Sequence, residues 1–144
     1  MPPQNYYARA MAHYAKLVAR QAQTKGGRAK QLVFVVASES QQGHDWFDQN
    51  VVQHKRLDHH HGAGVAKQNR TLHLDLEPVE TMAVLAQCDG SIMSFGTYGW
   101  WGAWLSNGPV TYSNHLNEGN DPKCGVAYKS GGVRDLYPPE WVPI

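Results

Sequence analysis

A chain of 144 residues and 16.1 kDa has room for one hydrophobic core and little more. Apolar residues make up 42% and charged residues 17%, with five Trp, seven Tyr and three Phe, which excludes a compositionally disordered chain. Thirteen Lys and Arg against twelve Asp and Glu leave a net charge of +1, too weak a field to hold a phosphate backbone or an anionic bilayer, so nucleic acid is not expected as a partner.

The two cysteines, Cys88 and Cys124, are too few for a disulfide scaffold and lack CxxC spacing for zinc or thiol redox chemistry. Neither a basic-plus-apolar leader nor an apolar run approaching about 18 residues occurs, so the sequence reads as neither a signal-bearing precursor nor a membrane span. The longest apolar stretch, Leu32-Val33-Phe34-Val35-Val36-Ala37, has the length of a buried strand.

In residues 6–23 the apolar side chains Tyr7, Ala10, Met11, Tyr14, Leu17 and Val18 recur at three- and four-residue spacing, which predicts an amphipathic helix. Lys25-Gly26-Gly27 supplies its stop. The β-branched run at 32–37 then predicts a strand covered on both faces, hence a parallel sheet. A polar loop at 38–43 leads to a short helix with Asp45 as its cap, and residues 53–70 read as an aperiodic surface loop. Leu72-His73-Leu74-Asp75-Leu76 alternates like a strand, and Pro78 opens a helix bearing Val79, Met82, Ala83, Leu85 and Ala86.

Ser91-Ile92-Met93-Ser94-Phe95 predicts the next strand, followed by a tight turn at 96–99, a helix at 100–106 and a stop at Asn107-Gly108. One more strand is expected at 109–113, and a polar, Gly-rich excursion at 114–132. Strands alternating with helices through short βα turns specify a single α/β domain, Rossmann-like, with a mostly parallel sheet and flanking helices.

In such a sheet, ligands lie at the carboxyl ends of the strands. The turn at 94–99 carries two glycines that admit close backbone approach, the hydroxyls of Ser94 and Thr97, and the positive end of a following helix. That combination suits a diphosphate, although Gly96 and Gly99 equally permit a plain tight turn.

Two spaced stretches go further. Leu85-Ala-Gln-Cys-Asp-Gly-Ser-Ile-Met-Ser-Phe-Gly-Thr-Tyr-Gly-Trp-Trp-Gly-Ala-Trp-Leu105 resembles the last large motif of the α-1,2-fucosyltransferases, glycosyltransferase family 11, in which a Gln-Cys-Asn-like segment leads into Thr-Ile-Gly-Thr-Phe-Gly-Phe-Trp-Ala. The ending Tyr137-Pro-Pro-Glu-Trp-Val-Pro-Ile144 is similar to that family's terminal Pro-Glu-Trp-Val-Gly-Ile. The helix around Tyr6 to Tyr14, the strand Phe34-Val-Val-Ala-Ser38 and the segment Asp45-Trp-Phe-Asp-Gln-Asn50 follow in the family's order, while the likeness fades between Val51 and His73.

The resemblance implies the C-terminal, donor-binding half of a type B glycosyltransferase fold. Its donor would be GDP-fucose, and its acceptor a β-galactoside-terminated glycan that receives fucose on the 2-hydroxyl with inversion. No cofactor or metal would be needed, as is general for that fold class. By position, Ser94, Phe95, Gly96 and Thr97 fall on the family's diphosphate-binding turn. Glu80 and Thr81 lie where related enzymes place an acid that serves the nucleoside, the acid here being displaced by one position.

The family's His-x-Arg-Arg-x-Asp motif, whose arginine meets the donor phosphates, does not precede Tyr6. His54-Lys-Arg-Leu-Asp58 is one residue short and follows the strand at Val33, so its charges read as solvated. The expectation is therefore a fragment without the acceptor domain and membrane anchor of a lumenal Golgi enzyme, inactive by itself. The alternative is a noncatalytic GDP-sugar-binding or interaction module of the same fold. A generic nucleotide-binding domain is disfavoured by the Pro-Glu-Trp-Val ending.

The remaining features read blandly. His59, His60 and His61, with His54, lack the spacing of a zinc site, so no metal is expected. Asp89, Asp121, Arg134 and Asp135 are solvated loop charges. Trp100, Trp101, Trp104 and Leu105 are expected to pack a core behind the nucleotide. Cys88 reads as a small buried apolar residue and Cys124 as an exposed thiol. Asn69-Arg70-Thr71 is an N-glycosylation sequon, as a lumenal enzyme permits.

Overall fold

The computed structural model describes residues 4–24, 31–52, 70–94, 96–113 and 137–144. In chain order they form α1 (Gln4–Thr24), β1 (Val33–Ala37), α2 (Gln41–Phe47) running into a π-helical turn (Asp48–Val52), β2 (Arg70–Leu74), α3 (Pro78–Ala86), β3 (Ser91–Met93), α4 (Thr97–Ser106), β4 (Val110–Tyr112) and β5 (Val142–Pro143). The architecture is mixed α/β, with parallel pairing throughout as the strand-helix alternation predicts. Among the described residues the strands divide between two small sheets, β1-β2 and β3-β4-β5. The helix stop at 25–27, residues 53–69 of the loop expected at 53–70 and the excursion at 114–132 lie outside the described residues; Arg70, expected in that loop, opens β2, which ends at Leu74 rather than Leu76.

The chain divides into two compact units, one of Tyr7–Thr81 and one of Met1–Tyr6 with Met82–Ile144. In the first, β1 and β2 pair in register from Val33 with Arg70 to Ala37 with Leu74. The β-branched run forms its strand, but the expected cover on both faces is not found: Val33 is 42% exposed and the middle of the strand is half-buried. Asp45 does not cap α2. Ser40 does, with φ −147° and ψ 152° and its Oγ accepting from Gly43 N at 3.3 Å, while Asp45 sits inside the helix and accepts from Gln41 Nε2 at 2.9 Å. A serine five residues before the acid wins because only an extended residue can aim its oxygen at the first-turn amides. Tyr7 meets Trp46 and Phe47 edge-on, with ring centroids 6.0 and 5.6 Å apart, and fixes α1 to α2.

The second unit holds the principal core cluster: Met93, Ala103, Val110, Tyr112, Tyr137 and Trp141, with Trp100 packed against it. Burial on all three residues of β4 follows from its central place between β3 and β5. The terminal strand β5, which no periodicity announces, is parallel to β4, and Ile144 N donates to Tyr112 O at 2.9 Å. The expected core group splits: Trp100 and Ala103 take the inward face of α4, whereas Trp101, Trp104 and Leu105 are 54%, 50% and 50% exposed. Trp101, one residue on from Trp100, is turned off the inward stripe, while Trp104, one turn on, stacks on Trp100 with centroids 5.3 Å apart and remains half in solvent.

Candidate donor-binding turn

Met93 ends β3 and Thr97 begins α4, so the turn is tighter than the spacing predicts and Gly99 lies within the helix rather than before it. Gly96 is the N-cap, with φ 95° and ψ 154°, a region that is essentially restricted to glycine. Among the described residues a Cβ there would meet nothing within 4 Å, and the positive φ by itself favours glycine. Gly96 has no side chain to cap the helix, and the first i−4 bond runs from Trp100 N to Gly96 O at 3.1 Å. The amides of Thr97, Tyr98 and Gly99 precede that bond and form the electropositive end of α4.

Ser94 is half-buried and Gly96 and Thr97 are exposed, so three of the expected turn residues come together at the carboxyl end of β3; Phe95 lies outside the described residues. Tyr6 braces this end of the sheet from α1: its hydroxyl, with Tyr6 itself buried, contacts Met93 O at 2.5 Å and Thr111 O at 3.2 Å. Sequence reading placed the α1 helix but missed this clamp; the available signal is that a phenol on an apolar face needs a polar partner. The far end of α4 is tied by Ser106 Oγ, which donates to Ala103 O at 2.8 Å and meets Ser91 Oγ at 3.2 Å. Asn107, at φ 51°, ends the helix as expected, and at Gly108 a Cβ would stand 2.1 Å from the Asp89 carbonyl oxygen, so that contact excludes any larger residue.

Glu80 and Thr81 stand on α3, in the Tyr7–Thr81 unit, whereas the turn belongs to the other unit. Both have local hydrogen bonds. Glu80 Oε2 accepts from Glu77 N at 3.3 Å, a helix-start contact that leaves the carboxylate exposed, and buried Thr81 donates its hydroxyl to Leu76 O at 3.2 Å. Cys88 is a half-buried free thiol donating to Val84 O at 3.5 Å; burial first, then the charge of Asp89, pushes its pKa up from 9.0, so it stays protonated at neutral pH and is no nucleophile. His54, His59, His60, His61, Asp58, Asn69, Asp121, Cys124, Arg134 and Asp135 lie outside the described residues. Among the described residues no group of three or more His, Cys, Asp or Glu could hold a metal ion, and no helix is long and apolar enough to cross a membrane.

The family model Glycosyl transferase family 11 matches residues 16–144, a span that includes the turn and both sheets. The Mus musculus protein named galactoside 2-alpha-L-fucosyltransferase Sec1 is 34% identical over 67 residues, covering 46% of this chain and 17% of that protein. The Oryctolagus cuniculus protein named galactoside alpha-(1,2)-fucosyltransferase 2 is 31% identical over 71 residues, covering 49% of this chain and 19% of that protein. The chain thus spans less than a fifth of the length of these curated relatives. No solved structure matches. With a family match over most of its length and parallel α/β sheets to carry it, this chain belongs to glycosyl transferase family 11.

Proposed function

We propose that this chain is the donor-binding portion of a galactoside 2-α-L-fucosyltransferase that uses GDP-fucose and a β-galactoside-terminated glycan, working in the Golgi lumen without a metal cofactor. The observation that carries the reading is the family match running through a turn whose features suit an anion: Gly96 opens the backbone at the end of β3, and the first-turn amides of α4 follow at once. The names of the two relatives support the linkage formed.

In the reaction, the 2-hydroxyl oxygen of the galactoside bonds to C1 of fucose from the face opposite the diphosphate. The C1–O bond to the β-phosphate breaks, its electron pair leaves with GDP, and the hydroxyl proton passes to a base. Charge therefore grows on the diphosphate, where fixed donors stabilise the transition state more than the ground state. Ser94, Phe95, Gly96 and Thr97 form the diphosphate site in this proposal, through the backbone and the Ser94 and Thr97 hydroxyls. Glu80 and Thr81 are assigned to the nucleoside, with Glu80 the freer of the two because its carboxylate is exposed while Thr81 is buried and bonded.

Calorimetric titration of GDP into the chain tests the site. Thr97→Val preserves volume and removes one donor, so GDP affinity should fall by about 1 to 2 kcal/mol. Unchanged affinity removes Thr97 from the site. A mass-spectrometric assay with GDP-fucose and a β-galactoside, run beside a full-length family enzyme, then separates catalysis from donor binding: the chain alone should bind GDP without forming acceptor-dependent product, and product at a rate comparable with the full-length enzyme would show that this chain carries the transfer chemistry itself.

A further inference from the structure

The Tyr7–Thr81 unit contains a polar cluster that the transfer reaction does not use. His44 on α2, 8% exposed, faces His73 on β2 with Nδ1 to Nδ1 at 2.7 Å, and the rings cross at 75°. The other nitrogen of His73, Nε2, lies 2.9 Å from Asp48 Oδ1 on the π-helical turn.

The chemistry of these groups fixes where the hydrogens lie. An ionised carboxylate only accepts, so His73 Nε2 carries a hydrogen and donates it to Asp48. A neutral His73 then has a bare Nδ1, so the short contact exists only if His44 Nδ1 holds the hydrogen. One added proton is tolerated: on His44 Nε2 it leaves the contact intact and strengthens its donor. A second is not, since two imidazolium rings would present N–H to N–H across 2.7 Å.

Among the described residues Asp48 is the charged side chain recorded in contact with the pair, and it reaches His73 Nε2 rather than the facing Nδ1 atoms; the Phe47 ring lies 6.4 Å from the His73 ring. Val36 is the β1 partner of His73, and α1 meets α2 through Tyr7 against Trp46 and Phe47. Asp45, beside His44, is engaged by Gln41, while Arg70 and Asp75 lie three residues before and two after His73 along the chain.

We propose that the facing His44 and His73 rings form a proton-controlled latch that holds α2 and its π-helical turn against β2 when at most one ring is charged, and releases them when both are. The closed pair accommodates one proton beyond its neutral state, and two separated rings accommodate two. The open form thus binds more protons, so falling pH favours it.

The test uses the full chain labelled with ¹⁵N. At about pH 8, imidazole spectra should show the hydrogen on Nδ1 of His44 and on Nε2 of His73. Between about pH 8 and about pH 5, the backbone amides of α2, corrected for intrinsic exchange, should lose protection by about tenfold or more relative to those of α4. His44→Asn keeps a donor near the Nδ1 position without a titrating ring, and should flatten that difference. The proposal is overturned if His44 carries its hydrogen on Nε2 at the alkaline end, if α2 and α4 respond alike in the unmodified chain, or if the Asn variant retains the pH response. Should that variant fail to fold, the ring spectra and the α2-to-α4 comparison in the unmodified chain decide the matter.

Discussion

The two units hold their parallel strands by different means. Around β3-β4-β5, the apolar side chains Met93, Val110, Tyr112, Tyr137 and Trp141 close into one buried cluster, and Tyr137 stacks on Tyr112 with centroids 4.1 Å apart. Around β1-β2, both Val33 and Leu72 remain substantially exposed, and named polar contacts from Ser40, His44, Asp48 and His73 organise the carboxyl ends of the strands. Apolar burial is nearly indifferent to pH and tolerates no loss of volume; a hydrogen-bonded cluster tolerates solvent but depends on protonation. The proposed diphosphate turn sits on the first kind of support and the histidine latch on the second, which suits a fixed anion site in one case and a releasable contact in the other.

The strongest test of that contrast is truncation. Trp141, 6% exposed and in contact with the rings of Trp100 and Tyr137, should cost about 3 to 5 kcal/mol on replacement by alanine, measured by urea unfolding followed by circular dichroism. Leu72→Ala on the more open sheet should cost under about 1 kcal/mol. Similar losses for both would mean that the two sheets are supported alike.

The next largest effect falls on the turn. Gly96→Ala introduces no clash with the described residues but forces a side chain onto φ 95°, so stability should drop by about 1 to 3 kcal/mol, with weaker GDP binding as the turn relaxes. Gly99→Ala separates a ligand role from a structural one. Among the described residues its Cβ would touch Met93 Cγ at 3.5 Å, an ordinary van der Waals contact, and a helical glycine replaced by alanine gains about 0.5 to 1 kcal/mol. A more stable variant that has lost GDP affinity means that the ligand needs the space above Gly99; a more stable variant with full affinity confines the glycine requirement to Gly96.

The smallest expected effect is on Cys88. Because folding raises its pKa above 9.0, the unfolded chain releases the proton first, and stability should decline modestly as pH rises above about 9. Cys88→Ser should remove that slope in alkaline urea titrations. A slope that survives the substitution belongs to another group.

Much of the fold can be read along the chain because its signals are local. The three- and four-residue spacing from Tyr7 to Val18 defines α1, and Tyr6, Ala10 and Tyr14 are buried at successive four-residue steps. The run at Val33 and Pro78 at the start of α3 mark their elements, and Asn107 marks the end of α4. The α4 start was legible only approximately, since Gly-Thr-Tyr-Gly is compatible with either a longer turn or an immediate helix, and the conformation of Gly96 selects the helix.

Other features depend on residues brought together from far along the chain. Tyr6 contacts carbonyls 87 and 105 positions away, and His44 meets His73 across 29 positions; no sequence period can encode such separations. The two-residue strand β5 is too short for any alternation and is specified by the edge of β4 that it pairs with. The exposure of Trp101 and Trp104 likewise follows from which face of α4 the sheet occupies, which hydrophobicity alone does not state. By itself, then, the sequence determined the alternation of helices and parallel strands, the glycine-bearing turn and the family, because propensity, capping and motif order act over a few neighbouring residues. Tertiary structure decided the division of the strands, the Tyr6 clamp and the paired histidines, because packing and hydrogen bonding depend on distance in space and not along the chain.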